Sequence, residues 1–310
     1  MDEMRAEYFS QLLALVLLKK SVPQDRISIF LNKHNADLLV ASGFSEVSEI
    51  YSSFFWGLSP LSIDDWDVAR RSHEKNTSHG VCMICICDER YPRFLASLYN
   101  APPVLFVKGN LSALTPLPGV AVVGAREATD SGREIARRIA MFMVENGWPV
   151  VSGLALGIDA AAHQGALDAN GVTIAVLAGG IEKPNPAANS ELGYKILDAG
   201  GAWVSEHPAG TPPKKQSFVD RNRIQVGLSA GSIIVEAKMK SGSITQARFC
   251  LAENRPLFAV VPHSISNPLG LNSEGTLHMV QDLGARPVRT KDDYYEIVRA
   301  LEESKGKLFS

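Results

Sequence analysis

Hydrophobic positions along the chain fall into two regimes. In residues 4–19, MRAEYFSQLLALVLLK, Phe9, Leu12, Leu13, Val16 and Leu17 recur at helical spacing and mark an amphipathic helix. Short helical patterns continue to about residue 72, punctuated by Pro23, Gly43 and Pro60, so residues 1–80 are expected to form a small helical domain. Residues 81–118 are dense in proline and turn signals around one clear strand, VLFVKG. They are expected to pack on the main domain as a connecting segment.

From residue 119 to the end at 310 the regime changes. Apolar runs (GVAVVG, PVVSG, VTIAVLAGG, AWVSE, SIIVEA, PLFAVVP, ARPV) alternate with helical segments of ten to fifteen or so residues. Strands that are apolar almost throughout, separated by helices, predict a parallel sheet covered on both faces. Several of the helices close on Gly or Asn-Gly, the usual left-handed stop. The fold class is therefore α/β, a Rossmann-like doubly wound and mostly parallel sheet preceded by the small helical domain.

Composition changes this picture little. Of 310 residues 45% are hydrophobic and 21% charged, an ordinary globular balance. No apolar stretch reaches the length of a bilayer span and the N-terminus lacks a signal-peptide pattern, so a cytoplasmic, non-membrane protein is expected. The net charge of −2 matters more: any nucleic-acid site would have to gather its cations locally. Cys82, Cys85 and Cys87 lie in VCMICICD, with His79 nearby. This reads as a buried strand, not a metal site.

Ligands of such sheets bind beyond the carboxyl ends of the strands. In VVGAREATDSG, Gly124 ends a strand, Arg126 sits in the loop, and Thr129, Asp130 or Ser131 can cap the next helix. The dinucleotide fingerprint is absent, which argues against a nicotinamide-dependent dehydrogenase. In VVSGLALGIDAAAHQGAL, Gly153 ends a strand. Asp159 and His163 share a helix face, where they could serve as an acid–base pair or as metal ligands. No third partner is set by spacing, so the preferred reading is Asp159 stabilising the helix start and a packed His163. In AGGIEKPNPAANSELG, Gly180 ends a strand and Asn189 or Ser190 can cap a helix. In EAKMKSGSITQA, Gly242 and Ser243 again join a strand end to a helix start.

The segment SFVDRNRIQVG is the most unusual, since it places two cations directly before a sheet strand. If it is helical, Phe218, Arg221, Asn222 and Gln225 share one face, while Arg223 lies about 200° around from Arg221. One arginine is then expected to face the strand-end rim and the other to anchor locally. Lys214 and Lys215 precede Phe218, and an aromatic ring among cations suits a stacked base with neutralised phosphates.

The ordered set YPRFL, PPVLFVKG, VVGAR, SGLALGIDAAAH, TIAVLAGG, the Pro-x-Lys-x-x-Phe-x-x-Arg-Asn-Arg run from Pro213 to Arg223, EAKMKSGSITQA and FAVVP resembles the DprA/Smf family of DNA-processing proteins over residues 85–290. The resemblance implies an extended Rossmann-like fold related to the LOG nucleotide hydrolases, behind a small helical, SAM-like domain. It also implies single-stranded-DNA binding in natural transformation or a related DNA-uptake and recombination pathway, loading of a RecA-type recombinase, and a homodimer. By likeness, Arg126, Lys215 and Phe218 would line the DNA pocket. One arginine of Arg221-Asn222-Arg223 would assist them, with backbone amides near Gly124, Gly153, Gly180 and Gly242. No catalytic group, metal or cofactor is implied, and the chain is not expected to be an enzyme. A C-terminal winged helix, present in many members, is not expected here.

Three departures stand out. Ala125 replaces a hydroxyl residue, Asn185 replaces an aromatic, and His263 replaces a glycine. The rival expectation is a LOG-like nucleotide phosphoribohydrolase. Its catalytic Glu is missing from SGSITQA, leaving Glu236 as the nearest substitute.

Overall fold

The computed structural model describes residues 2–41, 43–115 and 118–309. Four helices come first: α1 (Asp2–Lys19), α2 (Gln24–Val40), α3 (Phe44–Phe54) and α4 (Ile63–Ser78). Nine strands follow: β1 (Val81–Cys85), β2 (Val104–Gly109), β3 (Gly119–Val123), β4 (Val150–Ser152), β5 (Thr173–Val176), β6 (Ala202–Ser205), β7 (Ser229–Ile234), β8 (Leu257–Val260) and β9 (Arg286–Val288). Between and after them lie α5 (Arg93–Ala96), α6 (Asp130–Glu145), α7 (Ile158–Asp168), α8 (Ser190–Asp198), α9 (Ser217–Gly227), α10 (Gly242–Ala252), α11 (Glu274–Asp282) and α12 (Asp293–Phe309). Among the described residues no helix is long and apolar enough to cross a membrane.

The strands form one sheet in the order β1-β2-β6-β5-β4-β3-β7-β8-β9. From β6 to β9 every pairing is parallel. Strands β3 to β6 step outward in one direction, and β7 to β9 return on the other side of β3, so the chain changes direction between β3 and β7. Helices cover both faces, as the unbroken apolar strands require. On one face Val120 and Val122 pack with Ile139, Met143, Ala162, Ile297 and Leu301; on the other Val151, Ile174 and Val176 pack with Ile224 of α9.

Residues 81–118 do more than connect. β1 pairs antiparallel with β2 from Val81↔Lys108 to Cys85↔Val104, and β2 pairs antiparallel with β6. Pro92, Pro102 and Pro103 lie between these two strands, and Pro118 follows β2. Cys82 and Cys85 lie on β1 opposite Val107 and Val104, and among the described residues no His/Cys/Asp/Glu group suited to a metal occurs. The four N-terminal helices bury Phe30, Tyr51 and Phe55 in the same apolar cluster as Met83, Phe106 and Trp203. Their core is thus continuous with the sheet.

Candidate nucleic-acid interface

At the reversal of strand order a cavity of about 750 Å³ opens beyond the carboxyl ends of β3 and β7. Open α/β sheets place their ligands at this position, because the two adjoining loops diverge to opposite faces. The wall from β3 carries Gly124 and Arg126, and that from β7 carries Lys238, Lys240, Gly242 and Ser243. Between them, α9 contributes Phe218, Arg221, Asn222 and Gln225, with Lys215 just before its first turn.

Close packing sets each side chain. Gly157 adopts φ 78° at the start of α7, and a Cβ there would collide with the carbonyl oxygens of Ala125 and Arg126. The absence of a side chain lets α7 buttress the Arg126 loop directly. Thr129 caps α6 by accepting from Gly132 N–H at 2.9 Å. On α9, Asn222 Nδ2 donates to Gly242 O at 3.1 Å, tying the helix to the start of α10. At its other end buried Arg255 donates to the carbonyls of Val226, Ser229 and Phe94, and burial pulls its pKa down to about 10.

Charge is concentrated here in a chain of net charge −2. Arg126, Lys215, Arg221, Lys238 and Lys240 face only two carboxylates, Glu127 and Asp159. Glu127 pairs with Lys238 at 2.9 Å at the surface. Among the described residues Arg126, Lys215 and Lys240 make no ion pair. Half-buried Phe218 stands between cations, with the Arg126 guanidinium 5.0 Å and the Arg221 guanidinium 5.5 Å from the ring centroid.

The two arginines of the RNR run do different work. Arg221 is buried beneath Phe218 and donates to Gly153 O and, at 3.0 Å, to Val176 O. Arg223 turns away from the cavity and forms a buried pair with Glu206 (2.6 Å), also donating to Gln24 Oε1 of α2 (2.9 Å). That contact joins the ring-bearing helix to the N-terminal helices.

The expected amide cradle is largely occupied from within. Asp159 is buried and accepts the N–H groups of Gly153 (3.1 Å), Ala155 (3.4 Å) and Gly124. Burial raises its pKa against the opposing charge of Arg221, 3.9 Å away. The N–H of Gly180 donates to Thr211 O (2.9 Å), and Asn189 donates to Leu154 O (2.8 Å). Neither lines the cavity, because β5 ends two strands away from β3. Of the twelve residues singled out from the sequence, Gly124, Arg126, Lys215, Phe218, Arg221, Asn222, Gly242 and Ser243 converge on it, whereas Gly153, Gly180, Asn189 and Arg223 do not.

Of the candidate acid–base groups Asp159 lines the cavity, whereas His163 and the substitute carboxylate Glu236 do not. His163 is fully buried with Nδ1 2.7 Å from Thr173 Oγ1, whose proton goes to Val150 O. Burial, aided by the Arg221 charge, lowers its pKa to about 3. Glu236 is fully buried and accepts from Thr129 N–H and O–H (both 2.9 Å) and from Asn272 N–H (2.8 Å), away from the cavity. Lys238, Lys240 and Gln246 line the cavity although sequence reasoning passed over them. The two lysines flank Met239 in EAKMKSG, an alternation at a strand end that could have marked them.

A family model described as DNA recombination-mediator protein A matches residues 82–299. The chain is 37% identical over 217 residues to the DNA processing protein DprA of Bacillus subtilis, covering 70% of this chain and 71% of that one. It is 41% identical over 208 residues to DprA of Streptococcus pneumoniae, covering 67% and 71%. The match to protein Smf of Escherichia coli is 40% over 208 residues, or 54% of that protein's length. Among solved structures, DprA of Streptococcus pneumoniae superposes with a TM-score of 0.66 at 31% identity over 95% of both chains. DNA processing protein A from Helicobacter pylori, solved for its single-stranded DNA binding mode, gives a TM-score of 0.62 at 27% identity over 71% of this chain and 96% of that one. With the family model covering more than half of its length, the chain belongs to the DNA recombination-mediator protein A family, the DprA/Smf proteins.

Proposed function

We propose that this chain binds single-stranded DNA in the switch-point cavity and acts as a recombination mediator, presenting the strand to a RecA-type recombinase as a homodimer. The carrying observation is that Arg126, from the loop after β3, and Lys215 and Phe218, from the start of α9 and the residues just before it, line one cavity whose free cations have no internal acid to neutralise them. Arg126 and Lys215 take phosphates, Lys238 and Lys240 extend the cationic rim, and Phe218 supplies a stacking face. Arg221 supports the ring from the interior, and Arg223 fixes the helix that carries it. The single-stranded DNA binding described for the Helicobacter pylori relative supports this reading.

The phosphoribohydrolase alternative finds little support. Its substitute carboxylate, Glu236, is spent on Thr129 and Asn272, and both carboxylates in the cavity are engaged with Arg221 or Lys238. Electrophoretic titration with single- and double-stranded oligonucleotides of equal length tests the proposal. Preference for the single strand, weakened in Lys215→Ala and in Phe218→Ala, is expected. Unchanged affinity in both folded variants would reject it, and free base released from nucleoside monophosphates would revive the enzyme.

A further inference from the structure

The chain has four cysteines, and two of them meet. Strand β1 ends at Cys85, and Asp88 N–H donates back to Cys85 O at 2.9 Å, so residues 85–88 form a tight turn with Cys85 first and Cys87 third. Positions two apart on an extended strand stand roughly 6.5–7 Å apart, the far limit of what a disulfide spans, and a turn brings them nearer. Here the Cys85 S–H donates to the Cys87 sulfur, and both side chains pack on the apolar cluster of the N-terminal helices. The other two cysteines lie elsewhere. Cys82 points to the opposite face of β1, against the cluster of Leu95 and Leu105, and Cys250 is buried on α10.

The paired thiols differ in character. Cys85 is buried, whereas Cys87 is partly exposed. The hydrogen bond from Cys85 pulls the Cys87 pKa below the ordinary thiol value against the effect of burial, helped by the Cys87 N–H and by Ser10. The same bond, together with burial, pushes the Cys85 thiol well up. Ser10 of α1 is 3% exposed, and its hydroxyl has no hydrogen-bond partner among the described residues. Lying beside Cys87, it has a proton to donate once that sulfur ionises or carries an oxygen. A reachable thiol that ionises readily, next to a protonated and sheltered one, is the arrangement of an attacking and a resolving cysteine.

We propose that Cys85 and Cys87 form a reversible oxidation site, at which a hydroperoxide oxidises Cys87 and Cys85 then closes a disulfide onto it. In the first step the Cys87 thiolate attacks a peroxide oxygen. The S–O bond forms, the O–O bond breaks, and the departing hydroxide takes up the proton that Cys87 released. In the second step the Cys85 sulfur attacks the sulfur of the Cys87 sulfenic acid. The S–S bond forms, the S–O bond breaks, and hydroxide leaves with the Cys85 proton as water. Two thiols and one hydrogen peroxide thus give one disulfide and two waters, a two-electron oxidation of the pair. A bridge across one intervening residue closes a small ring, and strained bridges of this kind are readily reduced again. The site lies where α1 is seated on the sheet: Gln11 donates to Met83 O, and Arg90 bridges Asp88 to Glu7 of α1. β1 is the edge strand remote from the switch point, so this chemistry is independent of DNA binding.

Peptide mass spectrometry after brief hydrogen peroxide treatment and alkylation under denaturing conditions tests the site. Wild-type protein is expected to show Cys85 and Cys87 joined, the peptide lacking two hydrogens, with Cys82 and Cys250 alkylated. Dithiothreitol is expected to restore both thiols. In the native, reduced protein Cys87 should react with iodoacetamide at least about fivefold faster than Cys82. Cys85→Ala is expected to lose the bridge and accumulate sulfinic acid at Cys87, whereas Cys82→Ala keeps the bridge. Oxidation of Cys82 as readily as Cys87, a bridge joining any other pair, or Cys87 halted at the sulfinic acid in wild-type protein would overturn the proposal. Should Cys85→Ala fail to melt cooperatively, the products formed by wild-type protein decide alone.

Discussion

The Arg126 guanidinium lies 5.0 Å from the centre of the Phe218 ring, while Arg221 meets the same ring at 5.5 Å from a buried position. The two cations are held very differently. Arg221 is fixed by the carbonyls of Gly153 and Val176; exposed Arg126 has only the ring. Under the proposed function, a base stacking on the face that Arg126 covers would displace it and free the guanidinium for a phosphate, making stacking and phosphate capture one exchange.

Arg126→Ala should therefore lose a phosphate contact while leaving the ring open. The slope of log K against log salt for a single strand is expected to shrink by about 0.7, the contribution of one neutralised phosphate. Lys215→Ala should shrink it similarly, whereas Phe218→Ala should weaken binding by roughly 1–3 kcal/mol per stacked base with no change of slope. Titrations at several salt concentrations separate the three, and a slope unaltered by Arg126→Ala would contradict the exchange.

Arg223 acts through α9 and not on the ligand. Breaking a buried ion pair from one side strands the other charge, so Arg223→Met is expected to destabilise the fold by about 3–5 kcal/mol, with partial recovery on adding Glu206→Gln. Burial pushes the Glu206 carboxyl up, but the hydrogen bond and charge of Arg223, with Gln24, outweigh it and hold the pKa below the ordinary value. The stabilisation is complete above a normal glutamate pKa of about 4.3 and is lost as pH falls through the lower folded value. Urea unfolding of the variants from pH 7 to pH 3 measures both effects.

Much of this fold was readable from period alone, because near-continuous apolar runs such as GVAVVG and SIIVEA suit a covered parallel sheet; the second strand starts earlier than that run, at Ser229, and both strands are buried throughout. The convergence of Arg126, Lys215 and Phe218 followed from motif order and strand ends. Strand order was not readable. Gly180 and Asn189 sit at strand ends by the same logic as Gly124, yet β4 and β5 lie on the far side of β3 from β7 and carry that loop away from the cavity. The pair Arg223–Glu206 joins residues 17 apart across a loop, and no local pattern announces it.

His163 is the group whose titration should be felt most clearly. Burial, with the Arg221 charge adding to it, lowers its pKa to about 3, against about 6.5 for an unfolded histidine. Between these values the unfolded chain binds one more proton, so stability is complete above pH 6.5 and is lost as pH falls toward 3, at up to roughly 1.4 kcal/mol per unit from this group. His163→Gln should flatten the dependence of unfolding free energy on pH within that window. A wild-type curve no steeper than that of the variant would show that His163 is not the neutral, buried group seen here.

Gly153 and Gly242 both read as places where backbone comes close to a ligand, and the structure separates them. A Cβ at Gly153 would lie 2.6 Å from Arg221 Cζ and 2.8 Å from Asp159 Oδ2. Neither group can step aside, since Arg221 is pinned to two carbonyls and Asp159 to three amides. Gly153→Ala is expected to cost about 1–3 kcal/mol of stability through overpacking and to weaken oligonucleotide binding by moving Arg221 from beneath Phe218. At Gly242, on the cavity edge in the first turn of α10, an added Cβ meets nothing within 4 Å. Gly242→Ala should hold stability or raise it by about 0.4–1 kcal/mol, because the unfolded chain loses freedom that the folded chain never used. Thermal melts and titrations of the two variants side by side test the assignment. Equal effects would mean that the pocket beneath the ring yields more readily than its hydrogen bonds imply.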